Sequence, residues 1–425
     1  MSPASETKEG ASRGSERPLR AQERTRLAIL ALPTTALALA ITMVSTYLGT
    51  VTRRFTHQTA IIGLIIGNEG IMALWIPLLV GAWSDRLRTR IGGRLPFVVA
   101  GALPAAAALV LMGFLGSLAA VAIAAAAFFA FYFVAYEPYR ALYPDLVDDE
   151  EVAGRAQSTQ AAARGLGTAL ALLGGGLLLS VARPLPFVVA AFILLLAIAA
   201  FVLLLLRRGL AEQRRDATKA SEQAGHLVRL LTDSVALRSY LIANALWEMA
   251  LSALKAFIVL YLTVGLGYKL SVASLLIGGV ALVILLGAIA AGKAGDRFGR
   301  LRVLNWALLA YGCGYLVLIF TTSRPLIGAA IPFVALGGGT VMTLAFAVLM
   351  PLMPEDEHGA LTGFYSLSRG IGIVLGPVLA GVLISVTQPG PFASSRGFQA
   401  MWIVCATGAF ASLPFVRRLR REEEE

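Results

Sequence analysis

The chain has 425 residues, of which 57% are hydrophobic and 14% are charged, and its mean hydropathy is +0.76. Soluble domains are about 45–50% apolar and about 25% charged, so this composition excludes an ordinary soluble enzyme. The formal net charge is +11, with two cysteines in apolar stretches and three histidines in polar connections. We therefore expect no disulfide framework, no metal site and no bound cofactor. Motifs for nucleophilic or zinc catalysis are missing from the sequence, so we expect a membrane protein that is not an enzyme.

Apolar stretches of about 20 residues, the length that crosses a bilayer, recur along the chain and predict twelve transmembrane helices. They are apolar on all sides, unlike the alternating strands of a membrane barrel. The predicted helices are 27–51, 60–83, 95–115, 118–143, 158–181, 185–206, 237–264, 270–294, 303–322, 326–350, 361–386 and 398–416.

Polar segments at the ends and in the middle divide the chain into five parts. We expect a disordered cytoplasmic tail at 1–26, a six-helix bundle at 27–206, a cytoplasmic linker at 207–236, a second six-helix bundle at 237–416 and a cytoplasmic tail at 417–425. The linker is rich in both basic and acidic residues, and it is the longest polar segment between predicted helices.

Lysine and arginine are unequally distributed between the two sides of the predicted helices. The side that carries both termini, with the helix ends that face it, holds 27 of the 36 Lys and Arg residues, the opposite loops hold 6, and 3 lie deep within helices. Because cytoplasmic loops are enriched in these residues, we expect both termini in the cytoplasm and the protein in the plasma (inner) membrane. Topology and attraction to anionic headgroups then account for the net charge. The expected partners are membrane lipids and a small-molecule substrate, with no nucleic acid, and the expected oligomeric state is a monomer.

Two sequence features occur once in each half. One is a loop with the pattern Gly-x-x-x-Asp-Arg, whose aspartates Asp85 and Asp296 are 211 residues apart; the other is an Arg-Gly pair at Arg164 and Arg369, 205 residues apart. Two features repeated at nearly one offset indicate a duplicated bundle. In transporters built from parallel repeats, the substrate site lies near the middle of the membrane between the halves. The repeated loop residues are Gly81, Asp85 and Arg86 after helix 2, and Gly292, Asp296, Arg297 and Arg300 after helix 8.

The repeated loop resembles the Gly-x-x-x-Asp-Arg-x-Gly-Arg motif of the major facilitator superfamily, and the resemblance extends over about residues 27–416. Longer patterns from Ser84 to Phe97 and from Pro138 to Asp145 resemble the sucrose/proton and glycoside-pentoside-hexuronide:cation symporter branches. The resemblance implies an all-α integral membrane fold with twelve transmembrane helices in two pseudo-symmetric six-helix bundles. Those branches carry an acidic residue on helix 1 or in the middle of helix 4, where this chain has hydroxyl-bearing and aromatic residues.

The repeated loops are expected to form a gate. Gly81 and Gly292 would let helices approach closely, and the aspartates can face a helix N-terminus, where positive partial charge accumulates. We expect Arg140, at the end of helix 4, to be the ionic partner of Asp85. Helix 10 ends without an equivalent cation, so the second half should be held more weakly. The alternative is that these charges only fix the topology.

Six charged residues lie well inside predicted helices, away from the helix ends, where a charge is costly and indicates a function. The rise of 1.5 Å per residue places them at three depths, on the order of 10, 12–15 and 20–25 Å from the cytoplasmic face. Residues at equal depth predict three ion pairs, which are Glu137 with Arg164, Glu248 with Arg369, and Glu69 with Lys255.

Glu69 is the first candidate for proton coupling, because it lies near the middle of helix 2 among small residues that would admit water or substrate. Glu248 is the second, because it shares a polar face of helix 7 with Asn244 and Lys255. The alternative is that each carboxylate only joins helices through a basic neighbour, and this is favoured for Glu137. Sodium coupling is less favoured, since sodium needs several oxygen ligands at one depth.

Polar and aromatic residues near these charges are candidates for substrate binding. Aromatic faces can stack on sugar rings, although such residues more often pack in cores. The candidates are Asn68, Tyr136, Asn244, Trp247 and Tyr365.

Together these features predict a secondary active transporter driven by a proton gradient, in which two halves rock to expose a central site to alternate sides. Symport of a sugar or glycoside is the first expectation. Proton-coupled efflux of a drug or metabolite is the second, and a non-transporting membrane sensor or scaffold is the third.

Overall fold

The computed structural model of the protein describes residues 21–87, 89, 93–145, 150–207, 234–349 and 358–424. Within these residues twelve helices are long and apolar enough to cross a membrane, and the structure is all-helical. The first six helices are α1 Ala21–Thr52, α2 Thr59–Arg86, α3 Leu95–Phe114, α4 Leu118–Asp145, α5 Glu150–Val181 and α6 Leu185–Arg207. The second six are α7 Val235–Leu260, α8 Leu270–Phe298, α9 Arg300–Phe320, α10 Arg324–Leu349, α11 His358–Thr387 and α12 Met401–Glu424.

Both expected tails are partly helical. Helix α1 begins at Ala21, inside the segment 1–26 that we expected to be disordered, and α12 continues to Glu424 through the expected tail 417–425. The reason is that a hydropathy window ends where charges begin, whereas the backbone hydrogen bonds of a helix continue into water without an apolar sequence. Residues 1–20 and most of the expected linker, 208–233, lie outside the described residues.

The start and the end of α7 show two local signals. Its first residue follows Ser234, whose side chain accepts a hydrogen bond from the backbone N–H of Leu237 at 3.1 Å, which is a typical N-cap. Its far end passes into one π-helical turn over Tyr261–Gly265. Single π turns of this kind are rare, and the apolar pattern of the sequence predicted an uninterrupted helix over 237–264.

The two halves pack their helices in the same way. In the first half α1 contacts α5 and α6, α4 contacts α2 and α3, and α3 contacts α6; in the second half α7 contacts α11 and α12, α10 contacts α8 and α9, and α9 contacts α12. Each contact of the first half therefore has its counterpart in the second. Between the halves, α2 packs on α11, α5 on α8, and α1 on α7. This is the two-fold pseudo-symmetric arrangement that the duplicated motifs predict.

Two arginines show the repeat at the level of single hydrogen bonds. Arg94, just before α3, donates to the backbone oxygen of Ala141 in α4 at 2.6 Å, and Arg300, at the start of α9, donates to that of Ala347 in α10 at 3.2 Å. Donors and acceptors are both 206 residues apart. The difference from the 211-residue offset of Asp85 and Asp296 arises because the connection between α2 and α3 is longer than that between α8 and α9.

The interface of α2 and α11 contains glycines on both helices. A Cβ atom at Gly63 would overlap the carbonyl oxygen of Pro377, and one at Gly70 would lie 2.6 Å from the carbonyl oxygen of Gly370. Small residues at such positions let two helix backbones approach closely within a membrane. At the far end of this interface, the Thr59 hydroxyl donates to the carbonyl oxygen of Gly381 at 2.8 Å.

The interface of α5 and α8 forms a second seal on the same side. The Ser274 hydroxyl of α8 lies 2.8 and 2.7 Å from the backbone oxygens of Leu172 and Leu173 in α5 and shares its one proton between them. The hydroxyl of Tyr47 in α1 lies 3.1 Å from that of Ser274. These contacts and those of Thr59 lie in the half of the bundle opposite the termini, and we call them together the distal seal.

A cation adds to the distal seal outside the membrane spans. The Arg53 guanidinium lies 5.8 Å from the centre of the Phe398 ring, and the arginine donates to the backbone oxygen of His57 at 3.0 Å. Burial, and next the positive charge of Arg396, lower the pKa of Arg53 from its ordinary value. The aromatic face and the carbonyl oxygen therefore stabilise a cation that has lost part of its hydration.

Candidate functional site

A small polar cavity lies between the halves in the middle of the bundle. It has a volume of about 20 Å³, which holds about one water molecule. Ionisable and hydroxyl-bearing side chains from four helices line it: Ser45 of α1, Glu69 of α2, Glu248, Ser252 and Lys255 of α7, and Arg369 of α11. We call these residues the central cluster. Four of the six intramembrane charges predicted from the sequence meet there.

The predicted pair of Glu248 and Arg369 is confirmed. The guanidinium Nε donates to Oε1 of Glu248 at 3.0 Å, and the two side chains are 17% and 35% exposed for Glu248 and Arg369. The pair joins α7 to α11 within the second half. Gly372 makes the contact possible, because a Cβ atom at this position would lie 2.7 Å from Cβ of Glu248.

Glu69 is placed differently from Glu248. The hydroxyl of Ser45 donates to its Oε2 at 2.5 Å. Lys255 and, more weakly, Arg369 act on Glu69 electrostatically, but among the described residues no ion pair within 4.0 Å joins Glu69 to either cation. The predicted Glu69–Lys255 pair thus shares a cavity without direct contact. Since Glu69 belongs to the first half and both cations to the second, their separation depends on how the halves are oriented.

The local sequence explains why Glu69 faces this interface. It lies in the segment Gly67-Asn68-Glu69-Gly70, and Gly67 and Gly70 pack directly against Val374 of α11. The close approach of α2 and α11 places Glu69 at the boundary of the halves. Asn68, predicted to bind substrate, is half-buried beside it.

The predicted pair of Glu137 and Arg164 is wrong. Glu137 instead lies 4.0 Å from Arg140, three residues ahead on the same helix, and Arg164 donates to the Tyr136 hydroxyl at 3.1 Å. Depth alone cannot distinguish these partners, because it does not specify the direction in which each side chain leaves its helix. A glutamate and an arginine three residues apart share a helix face by geometry alone.

Aromatic rings connect Arg164 to the central cluster. The rings of Tyr132 and Tyr136 are stacked with centres 5.4 Å apart and an angle of 14° between planes. Glu69 and Arg369 both act electrostatically on Tyr132, and Arg369 also acts on Tyr136. Tyr365 of α11, another predicted substrate-binding residue, is half-buried and within reach of Arg164, Arg369 and Glu248.

The other two predicted substrate-binding residues point into the second half. Asn244 donates to the Ser368 hydroxyl at 2.8 Å, and the indole N–H of Trp247 donates to the Ser412 hydroxyl at 2.9 Å. Both side chains are buried, with 2% and 5% exposure. They join α7 to α11 and α12 in this conformation, and contact with a substrate stays a prediction for them.

The expected gate motif is only partly visible. The side chains of Asp85 and Arg86 lie outside the described residues, so the predicted Asp85–Arg140 pair does as well. In the second half Asp296 lies 3.9 Å from Arg300, with both side chains largely exposed, and the Arg297 guanidinium lies 5.1 Å from the centre of the Phe298 ring. A surface pair of this kind contributes little to stability.

The expectation that Gly81 and Gly292 bring helices close together is wrong for this conformation. A Cβ atom at either position would meet nothing within 4 Å. The close helix contacts occur instead in the middle of the bundle and at the distal seal. The sequence did not predict the distal seal. Arg300 was predicted as a gate residue, but the hydrogen bonds that Arg94 and Arg300 donate to the next helix of each half were not predicted. The equal spacing of these donors and acceptors was the signal that could have found them.

Two duplicated bundles with a charged cavity between them define the class of membrane transporters with alternating access. The family model of the Major Facilitator Superfamily matches residues 30–285 and 241–425. The chain therefore belongs to the Major Facilitator Superfamily and is a multi-pass membrane transporter of that family.

Local sequence similarity extends to transporters of different kinds. The chain is 29% identical over 94 residues to multidrug resistance protein 3 of Bacillus subtilis. The matched region covers 22% of this chain and 18% of that protein. It is 32% identical over 104 residues to putative polyol transporter 1 of Arabidopsis thaliana. This second matched region covers 24% of this chain and 20% of that protein. The matched regions thus span a fifth or less of the length of these relatives.

Similarity of structure covers nearly the whole chain. The fold matches the crystal structure of a bacterial homologue of the human lysosomal transporter Spinster, in an inward-facing and occupied conformation, with a TM-score of 0.76. The match covers 95% of this chain and 98% of that one at 14% sequence identity, so it establishes the fold alone.

Proposed function

We propose that the protein is a proton-coupled secondary transporter that moves a small hydroxyl-bearing solute, a sugar or glycoside, by symport. The observation that carries the proposal is the placement of Glu69 at the boundary of the halves, bonded to Ser45 and facing cations of the other half without contact. The ion that drives transport is the proton. Glu69 is the first candidate to bind this proton, and Glu248 is the second.

The charges of the central cluster support coupling to a proton. With Glu69 ionised, two carboxylates and two cations balance; with Glu69 protonated, the cluster carries one net positive charge. An uncompensated charge in a membrane interior is costly, so the protonation of Glu69 changes which orientation of the halves has the lower free energy. A ligand or proton shifts such an equilibrium only through its unequal interaction with the two states.

The position of the distal seal supports an assignment of the side of the membrane to which the protein is open. The halves are joined in the middle of the bundle and on the side opposite the termini. The excess of Lys and Arg on the termini side favours a cytoplasmic location for that side. The proposed assignment is thus an inward-facing state of a plasma-membrane protein with both termini in the cytoplasm. Opening toward the other side would require the distal seal to separate.

Proton-coupled efflux is the second candidate function. The observation that favours it is the local similarity to a multidrug resistance protein. In an exporter Glu69 would release its proton to the cytoplasm when an apolar compound binds, whereas in a symporter proton and solute would move together. The direction of proton movement during transport distinguishes these two.

The experiment uses the full chain in proteoliposomes with a pH-sensitive dye inside. Glu69→Gln is expected to reduce uptake driven by a proton gradient at least 10-fold while solute exchange at equal concentrations continues, because a glutamine binds no proton. The matched variant is Glu137→Gln, which removes a carboxylate that lies beside Arg140 and should keep gradient-driven uptake within about twofold. Gradient-driven uptake that persists in Glu69→Gln would refute the assignment of Glu69.

A further inference from the structure

Arg164 differs from the neighbouring arginines because none of the described carboxylates forms an ion pair with it. Within the part of the chain that the structure describes, its polar contact is the hydrogen bond to Tyr136 at 3.1 Å, and it forms no ion pair. Arg140 has Glu137 beside it and Arg369 has Glu248. The Arg164 side chain is also exposed, although it belongs to a membrane-spanning segment.

The repeat shows what is missing beside Arg164. Arg369 is its counterpart in the second half, and the partner of Arg369 is a glutamate on α7. The counterpart of α7 in the first half is α1, which contacts α5 just as α7 contacts α11. From Leu27 to Thr52, α1 has no Asp or Glu. Glu23 lies in the first turn of α1, before this range. The first half thus retains the arginine of the repeated pair, but the membrane-spanning part of the equivalent helix has no acidic residue.

The surroundings of Arg164 include side chains of both halves. Arg140 and Arg369 act electrostatically on Tyr136, the hydrogen-bond partner of Arg164. Arg164 itself acts electrostatically on Tyr365 of the opposite half. The described ionisable side chains that face one another here and in the central cluster are four cations and three carboxylates. The cations are Arg140, Arg164, Lys255 and Arg369, and the carboxylates are Glu69, Glu137 and Glu248.

We propose that the transported solute carries an anionic group, a carboxylate or a phosphate, that binds to Arg164 beside the Tyr136 hydroxyl. This inference rests on the proposed function and narrows its solute to an acidic one. A guanidinium suits the role because its N–H groups match two oxygens of a carboxylate or phosphate at once. Bound there, the anion would neutralise the charge of Arg164, and protonation of Glu69 would favour its binding further.

The test compares acidic and neutral sugars of the same size on the purified full chain. Binding is measured by calorimetry and thermal stability with D-glucuronate, D-glucose 6-phosphate and D-glucose. The wild type should bind at least one acidic sugar more tightly than glucose. Arg164→Gln should weaken that binding about 10- to 100-fold, the range for a charged hydrogen bond, and Arg164→Lys should restore part of it. Arg302→Gln, at an exposed arginine on another helix, is the matched control and should bind as the wild type does.

Three results would overturn the inference: equal or tighter binding of glucose, an unchanged preference in Arg164→Gln, or no binding of any of the three sugars. Proton movement driven by a neutral sugar would refute the acidic solute and leave the proposed proton coupling intact. Tight binding of an acidic sugar that depends on Arg164, without proton movement, would support the anion site and refute the coupling.

Discussion

The ion pair of Glu248 and Arg369 should contribute measurably to the stability of the second half. Its atoms are 3.0 Å apart, it connects two helices, and its side chains are 17% and 35% exposed. Hydrogen bonds to charged groups contribute about 1.5–3 kcal/mol, and partial exposure favours the lower end of that range. We expect a coupling free energy of about 1.5–2 kcal/mol between Glu248→Gln and Arg369→Gln in a double-mutant cycle.

The chain offers a matched pair for this measurement. Glu137 and Arg140 have similar exposure, 19% and 35%, but they are 4.0 Å apart and lie on one helix. Pairs of this kind contribute about 0.2–0.5 kcal/mol. The two cycles therefore differ in geometry while the residue types and the exposure are nearly the same.

The assay is equilibrium unfolding of the full chain in mixed detergent micelles, with four variants for each cycle. Each single replacement at the first pair should cost more than the coupling itself, because it leaves an unmatched charge in a membrane interior. A coupling free energy for Glu248 and Arg369 no larger than that for Glu137 and Arg140 would show that distance and geometry do not decide the strength of these pairs.

Two further predictions concern helix packing. Gly63→Ala should lower the free energy of unfolding by about 1–3 kcal/mol, because the new Cβ would overlap the carbonyl oxygen of Pro377. Gly116→Ala should be neutral, because a Cβ there would meet nothing within 4 Å. Equal effects in the same unfolding assay would argue against close packing of α2 on α11. Arg94→Gln should lower the free energy of unfolding by about 1–2 kcal/mol, and Arg300→Gln by less than about 0.5 kcal/mol. The reason is that the Arg94 hydrogen bond is 2.6 Å long and part-buried, whereas the Arg300 hydrogen bond is 3.2 Å long and exposed. A larger loss for Arg300→Gln would contradict this ranking.

Where a helix is no longer than the membrane is thick, its predicted ends agree closely with the structure. The prediction for the third helix was 95–115, and the structure has Leu95–Phe114. The fifth helix was predicted from residue 158 but begins at Glu150. Its first two turns are polar, so hydropathy gave no indication of them, although the backbone continues in the same helix.

The partners of the charges were only partly available from the sequence. A fixed rise per residue gives the depth of each side chain, and this was enough to predict that Glu248 meets Arg369. Depth does not give the direction of a side chain around its helix axis. That direction decided that Arg164 meets Tyr136 and that Glu137 remains beside Arg140.

The sequence by itself determined that this protein is a duplicated twelve-helix membrane transporter, because hydropathy and the spacing of repeated motifs are properties of one chain read in order. Only the tertiary structure decided which charges share the central cluster, where the halves are sealed, and that Arg164 has a hydroxyl group beside it in place of a carboxylate. These are contacts between residues on different helices. They depend on how far each helix is rotated and how closely the glycines of α2 and α11 let the two halves approach.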